Sequence, residues 1–380
     1  MNAPQRLRYA VIGVGAKVYA MHHPALLNEN VEVVGVTDVD EAVSRERAEE
    51  LECPSFSDYK AMLLETRPDV AVILTPHPLH APIAVDCLRA DCHVLVEKPM
   101  AVHAAEADAM IRAAADAGRI LAVNFQQRLR PEVVKAVALV RSGGLGRVQH
   151  LDLAVTWPRT SAYYRLAAWR ATWRGEGGGV LLNQAPHDLD LICHLLGSPQ
   201  RVLAWTRTKL HDIETEDTVQ AMLEWPGGAN GNGAMGSVRI STAEAGRPAR
   251  LEILGTGGYL RIGAGELSFG RFEEDVTDFL AQNPDPFAAP ALQNEPLTLP
   301  PGAGDHTGDH AAVYQNLHEA ITQGTPVSAD GTEGRMSLEL ANAMILSSFT
   351  RSEIELPLDR ERYEALLTRL RAEGKAVGKV

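Results

Sequence analysis

The segment Val94-Leu95-Val96-Glu97-Lys98-Pro99 is a short apolar run that ends abruptly in two charged residues and a proline. Three apolar residues in a row, two of them β-branched, predict a buried strand. Ligands of open α/β sheets bind beyond the carboxyl ends of the strands, so such a strand would present Lys98 at a ligand site. Pro99 also restricts Lys98 to extended conformations. The alternative is a solvated lysine in a turn, paired with Glu97.

Strands and helices alternate on both sides of this segment. Apolar runs at Tyr9–Ile12, Val31–Thr37, Val70–Leu74 and Ile120–Asn124 predict further strands, and helices are expected between them. Alternation at this length is typical of a parallel, doubly wound sheet, which makes the fold class α/β. The pattern ends near residue 125, so we predict that residues 1–125 form the first domain.

The first predicted strand ends in a glycine turn, Gly13-Val14-Gly15. Gly13 permits a tight turn, Gly15 allows the backbone to approach a pyrophosphate, and the following helix offers free N–H groups to that anion. Asp38 lies 20 residues after Val18, the spacing at which an acid binds the ribose of a dinucleotide. Alternatively, Asp38 or Asp40 caps the helix that starts near Glu41. The acidic charge here favours NAD over NADP.

Two histidines follow the strand at Val70–Leu74, in the segment Thr75-Pro76-His77-Pro78-Leu79-His80. They belong to the predicted carboxyl edge of the sheet, and a helix is expected over Ala81–Ala90. Hydrogen bonds within the loop are favoured over metal binding for both rings.

Composition limits the classes of partner and compartment. The 380 residues carry a formal net charge of −13 and have no run rich in lysine or arginine, which argues against nucleic acid and anionic membranes. The four cysteines lack zinc-type spacing and are expected to be reduced thiols in the cytoplasm. A polar start and the absence of a long apolar run predict neither a signal peptide nor a transmembrane helix.

The second half of the chain contains a loop with three consecutive glycines, Gly177–Gly179, preceded by Trp169, Arg170 and Trp173. Three glycines in a row predict a loop that fits closely against another group. The two tryptophans could stack on a sugar, or they could pack in the core. Strands are predicted at Val148–Val155 and, with intervening turns, over 201–262.

A helix is predicted over Leu182–Leu196, with Asn183 as its N-cap. Asn183, His187, Asp190 and His194 then form one polar stripe on an otherwise apolar helix. The stripe could be a catalytic site or a satisfied polar network in the core.

The remaining segments carry less chemistry. Residues 283–304 are expected to be irregular, and helices are predicted over 305–323, 334–348 and at the C-terminus. His306 and His310 have the spacing of metal ligands on a helix, but no third ligand is near in sequence, so packing is favoured. No metal site is predicted.

Gly13-x-Gly15, Asp38, Thr75-Pro76 and Glu97-Lys98-Pro99 together resemble the Gfo/Idh/MocA family, oxidoreductases related to glucose–fructose oxidoreductase and inositol dehydrogenase. The resemblance implies a Rossmann domain over 1–125. It also implies an α/β domain with an open, mostly antiparallel sheet over 126–380, which often mediates a homodimer or homotetramer.

The family has Asp/Asn-x-x-x-His-x-x-Asp after a glycine-rich loop, and Asn183, His187 and Asp190 match that motif. The resemblance therefore implies Lys98 and His187 as catalytic residues. Asn183 replaces the aspartate of many members and cannot titrate. The predicted substrate contacts are Asn183, Asp190, Trp169, Arg170 and Trp173. The predicted cofactor contacts are Gly13, Gly15, Ala16, Lys17, Asp38, Thr75, Pro76, His80, Glu97 and Lys98.

The expected activity is NAD-dependent oxidation of a secondary hydroxyl on a sugar, glycoside or cyclitol, with His187 as the base and Lys98 assisting. A sugar acid is also a candidate substrate, because four arginines precede the glycine-rich loop, at positions 159, 165, 170 and 174. The alternatives are a redox-neutral glycoside hydrolase that uses bound NAD, and a non-catalytic protein that senses NAD.

Overall fold

The computed structural model describes residues 6–227, 233–263, 265–299 and 309–374. Internal contacts divide the chain into two units, Met1–Leu129 with Thr307–Leu338, and Arg130–His306 with Glu339–Val380. The first unit therefore differs from the predicted first domain, because it ends at Leu129 and also includes a later segment of the chain. Among the predicted features, the turn that the sequence Asn230-Gly-Asn indicates between strands, and His306, lie outside the described residues.

Strands β1 to β15 form two sheets in the described part of the chain. They span Leu7–Ile12, Val31–Thr37, Ser55–Phe56, Val70–Ile73, His93–Val96, Leu121–Val123, Val148–Thr156, Arg201–Arg207, Thr218–Glu224, Met235–Ser241, Arg250–Gly255, Gly258–Gly263, Glu266–Phe272, Leu292–Glu295 and Ile354–Glu355.

Helices α1 to α13 account for most of the remaining described residues. They span Tyr19–Leu26, Glu41–Glu50, Tyr59–Thr66, His77–Arg89, Ala104–Ala117, Pro131–Arg141, Ser161–Tyr164, Val180–Asn183, Pro186–Leu196, Val276–Gln282, Asp309–Gln323, Gly331–Thr350 and Arg360–Glu373. A short 3₁₀ helix, Gln126–Leu129, follows β6.

The first sheet has the strand order β3-β2-β1-β4-β5-β6, and every pair in it is parallel. Its central strands β1, β4 and β5 are almost fully buried, as continuous β-branched runs predict. The core of this unit also includes Val313, Tyr314 and Leu317 of α11. These apolar side chains explain why a segment from late in the chain belongs to the first unit.

The second sheet has the order β14-β13-β12-β11-β7-β10-β9-β8-β15. Only β7 and β10 pair in parallel, and the other described pairs are antiparallel. In β8, buried and less buried residues alternate strictly, which is typical of a sheet with one face in the core. The predicted α/β class with a parallel and a mostly antiparallel sheet is confirmed.

Three predicted elements differ from the structure. Helix α4 begins at His77 instead of Ala81, because Pro78 falls in the first turn of the helix, where a missing N–H breaks no helical hydrogen bond. The predicted helix over Leu182–Leu196 is divided into α8 and α9. The segment expected to be irregular contains β14, which pairs with β13.

None of the described helices has the length and apolar character that a membrane span requires. The four cysteines are free thiols, and three of them are buried.

Candidate active site

The turn after β1 depends on Gly13, which has a φ of +92°. Its N–H donates to the carbonyl of Thr37 at 2.8 Å. A Cβ at this position would lie 2.8 Å from the backbone nitrogen of Thr75, so a larger residue does not fit. Ala16 and Lys17 continue the turn towards α1, and Lys17 is exposed. These predicted cofactor residues therefore lie together at the carboxyl end of β1.

Asp38 and Asp40 follow β2 and have different roles. The Asp38 carboxylate accepts hydrogen bonds from the N–H of Gly15 at 2.7 Å and of Asp40 at 3.0 Å. Asp40 caps α2 by accepting from Ala42 and Val43. The helix cap is thus Asp40, and Asp38 lies against the glycine turn, where an acid that binds a ribose is expected.

The strands β4 and β5 end at the same edge as β1. The N–H of Leu74 donates to the carbonyl of Ile12 at 2.8 Å, and the N–H of Glu97 donates to that of Ile73 at 3.0 Å. The Thr75 hydroxyl is buried and has no hydrogen-bond partner among the described residues. Because a buried polar group is normally satisfied, this hydroxyl fits a contact to a ligand at the sheet edge.

Glu97 is buried, with 6% of its surface exposed. Its carboxylate accepts hydrogen bonds from His22 Nε2 at 2.9 Å, from the Asn124 amide, and from the backbone N–H of Lys98 at 3.1 Å. Burial raises the pKa of Glu97, but the hydrogen bond and charge of His22, the charge of Lys98 and the Asn124 amide outweigh it and hold that pKa well below its usual range. Glu97, the residue before Lys98, is therefore an anion whose carboxylate is held in place by hydrogen bonds from His22, Asn124 and the Lys98 backbone.

His22 joins Glu97 to helix α11. Its Nδ1 lies 3.1 Å from the Tyr314 hydroxyl, and its ring meets the ring of His310 edge to face at 4.7 Å. Burial and the charge of His22 lower the pKa of His310 to about 4. Donor atoms of His22, Glu97 and His310 lie within 4.8 Å of one another. Since Oε1 of Glu97 already accepts two hydrogen bonds, we describe this cluster as a hydrogen-bond network.

His80 was predicted to contact the cofactor, but its ring nitrogens face the backbone. Nδ1 lies 2.8 Å from the carbonyl oxygen of Pro99, and Nε2 lies 2.6 Å from that of Thr75. Both nitrogens are thus occupied within the protein. The interpretation of His80 as a loop residue with local hydrogen bonds fits these contacts.

In the second unit, four side chains form a closed ring of hydrogen bonds, which we call the Glu176 ring. Arg170 donates to the Tyr163 hydroxyl at 2.6 Å and to Glu176 at 3.4 Å. Tyr163 donates to the amide oxygen of Asn183 at 2.9 Å, and the Asn183 amide donates to Glu176. The Arg170 guanidinium also lies over the Tyr163 ring, 4.5 Å from its centre. The ring fixes the loop before the three glycines against α8.

Asn183 is not the N-cap of a long helix, as the sequence predicted. It is the last residue of α8, and α9 starts at Pro186. Its amide oxygen accepts from Tyr163 and from Gln184, the latter at 3.1 Å. Most of the hydrogen-bonding capacity predicted for a substrate is therefore used within the protein.

His187 and Asp190 lie one turn apart on α9, as predicted. His187 is 7% exposed and Asp190 is 1% exposed. The second predicted catalytic residue thus belongs to a buried helix of the second unit, whereas Lys98 belongs to the first unit.

The two tryptophans of the glycine-rich loop are not equivalent. Trp173 is fully buried and packs edge to face on Phe349 at 5.9 Å. The prediction that Trp173 binds substrate is therefore wrong, and the alternative of core packing holds for it. Trp169 is half-buried, and the guanidinium of Arg170 lies 5.1 Å from its ring centre.

The four arginines before the glycines also differ. Arg170 is part of the Glu176 ring, and Arg174 donates to the carbonyl of Arg371 at 3.0 Å. Arg159 lies over the Tyr163 ring at 5.2 Å, and Arg165 is exposed. Only Arg159 and Arg165 remain as candidates for binding an anionic substrate.

Glu216 was indicated by no sequence pattern; it is fully buried, and its side chain lies against the N-terminus of α8. Its Oε1 accepts from the N–H groups of Gly179 at 2.8 Å and Leu181 at 3.1 Å. Burial raises the pKa of Glu216 to about 7. His22, whose partners Glu97 and Tyr314 are distant in sequence, was also missed. So were Tyr163 and Glu176, whose partners Arg170 and Asn183 belong to the same stretch of the chain. The only local signal was a lone acid, Glu176, beside three glycines.

Residues 7–125 match the family description "Oxidoreductase family, NAD-binding Rossmann fold", and residues 133–261 match the "GFO/IDH/MocA C-terminal domain". A dehydrogenase of 1-carboxy-3-chloro-3,4-dihydroxycyclohexa-1,5-diene from Comamonas testosteroni is 32% identical over 187 residues, 49% of this chain and 46% of that protein. D-glucoside 3-dehydrogenase of Escherichia coli K12 is 31% identical over 223 residues, 58% of this chain and 62% of that protein. The chain thus spans about half to two thirds of the length of these relatives.

The solved structure of the WlbA dehydrogenase from Chromobacterium violaceum, in complex with NADH and UDP-GlcNAcA, is similar over almost the whole chain. The TM-score is 0.80 at 28% sequence identity, covering 94% of this chain and 98% of that one. The matches to an N-terminal and a C-terminal domain of one family agree with the two units of the fold. The chain belongs to the Gfo/Idh/MocA family of oxidoreductases.

Proposed function

We propose that the protein is an NAD-dependent dehydrogenase that oxidises a secondary hydroxyl of a sugar, glycoside or cyclitol. The observation that carries the proposal is Lys98, which leaves the carboxyl end of β5 beside the buried anion Glu97, at the sheet edge that holds the Gly13 turn. Relatives named as sugar and cyclic-diol dehydrogenases support the same substrate class.

The residues of the first unit fit NAD. Gly13 forms a tight turn that a larger residue could not adopt, Gly15 is exposed at that turn, and the buried Thr75 hydroxyl lacks a protein partner in the described chain. Asp38 would hold the ribose, and its charge disfavours a 2′-phosphate, so we propose NAD over NADP. When bound, NAD supplies the hydride acceptor.

The protein supplies the proton chemistry. In this proposal, an imidazole nitrogen of His187 accepts the hydroxyl proton, for which the ring must be neutral. The ammonium of Lys98 donates a hydrogen bond to the substrate oxygen and stabilises its developing negative charge. Alcohol oxidation should therefore rise with pH as the His187 ring loses its proton.

An NAD-coupled screen of sugars, glycosides, cyclitols and sugar acids tests the proposal, with NADH absorbance as the readout. The sugar acids are included because Arg159 and Arg165 remain available in the second unit. Net NADH release with one of these classes is expected. Cleavage of a glycoside without net NADH would favour the redox-neutral hydrolase, and tight NAD binding without any turnover would favour the NAD sensor.

We also propose a homo-oligomer that uses the open face of the second sheet, as the family resemblance implies. Trp205 in β8, Met222 in β9, Met235 in β10 and Leu254 in β11 are 51%, 46%, 54% and 41% exposed. Strand register places these side chains on one face. A row of large exposed apolar side chains across β8, β9, β10 and β11, with β7 between the last two, is typical of an interaction surface. The cytoplasmic location stays a prediction from the sequence.

A further inference from the structure

His80 connects the segments that follow two neighbouring strands. It lies in α4 and is 1% exposed. Its two ring nitrogens lie 2.8 Å from the carbonyl oxygen of Pro99 and 2.6 Å from that of Thr75. Thr75 follows β4, and Pro99 follows Lys98 at the end of β5. One imidazole therefore bridges the predicted cofactor segment and the predicted catalytic segment.

The chemistry of these two contacts requires two donors. A carbonyl oxygen only accepts hydrogen bonds, and a neutral imidazole carries one N–H, whereas an imidazolium carries two. In a neutral ring, one nitrogen lone pair would face a carbonyl lone pair at hydrogen-bond distance. Turning the ring over would place carbon atoms at both positions and would remove both hydrogen bonds.

We propose that His80 is an imidazolium whose two N–H groups hold the carbonyls of Thr75 and Pro99, and that it is a positioning residue for Lys98. The second part rests on the proposed role of Lys98, while the first part does not depend on any activity.

The surroundings contain charge that can balance this cation. Burial is the largest influence and lowers the pKa of His80 below its ordinary value, although the carbonyls of Pro99 and Thr75 and the carboxylates of Glu97 and Glu106 raise it. The charge is assigned from the two short contacts to carbonyl oxygens, each of which needs a donor. Glu97 at the end of β5 and Glu106 in α5 act on the ring through their charge, and the His77 ring of the same helix lies 5.8 Å away. A buried cation is costly unless it is hydrogen-bonded, and both ring nitrogens of His80 face a carbonyl acceptor.

Loss of the proton would break one of the two bridges. A lone pair on that nitrogen would then repel the facing carbonyl, and the Lys98 segment would no longer be held at a fixed distance from Thr75. Because misplacement of a reacting group by about 1 Å can lower a rate by about 10²-fold, turnover should decrease as His80 deprotonates.

The charge is tested on the full-length protein labelled with ¹⁵N, without any substrate. Long-range ¹H–¹⁵N spectra report the protonation of each imidazole nitrogen, and the His80→Gln variant identifies the His80 signals. At pH 7.5 we expect both nitrogens of His80 to carry a proton. A single protonated nitrogen at this pH would overturn the proposal.

The positioning role is tested by kinetics of His80→Gln, which retains only one donor group. We expect kcat to fall at least about tenfold, with a much smaller change in the KM for NAD. In the wild type, kcat should decline at the pH at which the spectra show His80 losing a proton. The control is His93→Gln at the other end of β5, where Nδ1 of His93 accepts from the N–H of Ile120 at 3.0 Å.

An unchanged kcat in His80→Gln, or an equal loss in His93→Gln, would overturn the positioning role. A wild-type protein that oxidises none of the compounds in the screen would instead contradict the proposed function. The spectra decide the charge of His80 in either case.

Discussion

Lys98 and His187 are the side chains on which the proposed chemistry depends. We expect Lys98→Ala and His187→Ala each to lower kcat by at least about 10²-fold, because each removes a group that acts on the substrate oxygen or its proton. NAD affinity, measured by fluorescence titration, should change little. Lys60→Ala is the control, since Lys60 forms a surface ion pair with Asp86 at 2.9 Å. Turnover near the wild-type level in either variant would contradict the assignment.

Asp38 and Asp40 allow cofactor choice to be separated from helix stability. We expect Asp38→Ala to narrow the preference for NAD over NADP about tenfold, or about 1.4 kcal/mol, because the charge opposing a 2′-phosphate is lost. Asp40→Ala removes the cap of α2 and should instead lower stability by about 1 kcal/mol. Values of kcat/KM for NAD and NADP check the cofactor preference of each variant, and thermal unfolding checks its stability. An equal change of cofactor preference in both variants would contradict it.

The structure revises what Asn183 does. Its amide donates to Glu176, so Asn183→Asp would bring two carboxylates together in a mostly buried site. We expect this variant to lose about 1–3 kcal/mol of unfolding free energy. Glu176→Gln combined with Asn183→Asp exchanges the amide and the acid and should recover part of the loss. Urea unfolding of all four forms measures the coupling. Additive losses would show that the two side chains do not interact.

Single residues were predictable where their role follows from local pattern. Gly13, Asp38 and Lys98 stand at fixed positions relative to predicted strands, so their places at the sheet edge followed from the sequence. Trp173 and Asn183 were misassigned because their partners are fixed by tertiary packing. Phe349 lies far along the chain from Trp173, and no periodicity connects them.

At the scale of elements, a strong hydrophobic pattern was sufficient to predict that an element exists and whether it is a helix or a strand. Strand β2 has the predicted bounds, Val31–Thr37, because it is a continuous apolar pattern with a clear stop. The division between α8 and α9 was missed because Gln184 and Ala185 are compatible with a helix. The division accompanies close packing at Gly179, where a Cβ would lie 2.0 Å from the carbonyl oxygen of Glu216.

Glu216 makes the stability of this element depend on pH. Its folded pKa of about 7 lies above the usual value of 4.5, so the folded protein holds that proton more tightly than the unfolded chain does. The unfolding free energy should therefore fall by about 3 kcal/mol as pH rises from about 4.5 to about 7 and change no further above it. Glutamine keeps the acceptor for Gly179 and Leu181 without a charge, so Glu216→Gln should remove this decline.

Thermal unfolding of wild type and Glu216→Gln at pH 5 and pH 8 measures the effect. The variant should be more stable than the wild type at pH 8 and similar to it at pH 5. Glu266→Gln, an exposed position in β13, is the control and should follow the wild type at both values. A constant difference between wild type and Glu216→Gln would show that Glu216 is ionised throughout this range.

At the scale of the whole molecule, the alternation of strands and helices predicted two sheets but not the composition of the first unit. Its residues 307–338 come from late in the chain, and no sequence pattern indicates that α11 packs with β1. The contact is built from Tyr9 and Tyr314, whose rings stack at 5.7 Å. Such pairings depend on tertiary structure, which is why a contiguous domain was predicted instead.

The open face of the second sheet predicts the assembly state. On it, Asp152 and Arg250 pair at 3.0 Å among the exposed apolar residues, so a second copy would meet both charge and apolar surface. We expect the wild type to be a dimer or tetramer by light scattering after gel filtration. Trp205→Glu combined with Met222→Glu should shift it to a smaller species, because two desolvated carboxylates oppose burial of that face.

Phe287→Glu is the matched control, since Phe287 is 93% exposed and lies outside the sheet. It should keep the mass of the wild type. If both variants keep the wild-type mass, the open face does not form the interface. If the wild type itself is a monomer at micromolar concentration, the apolar row has another role. If the Trp205→Glu, Met222→Glu variant is a smaller species that still binds NAD, assembly depends on the second unit, and NAD binding at the Gly13 turn does not depend on assembly.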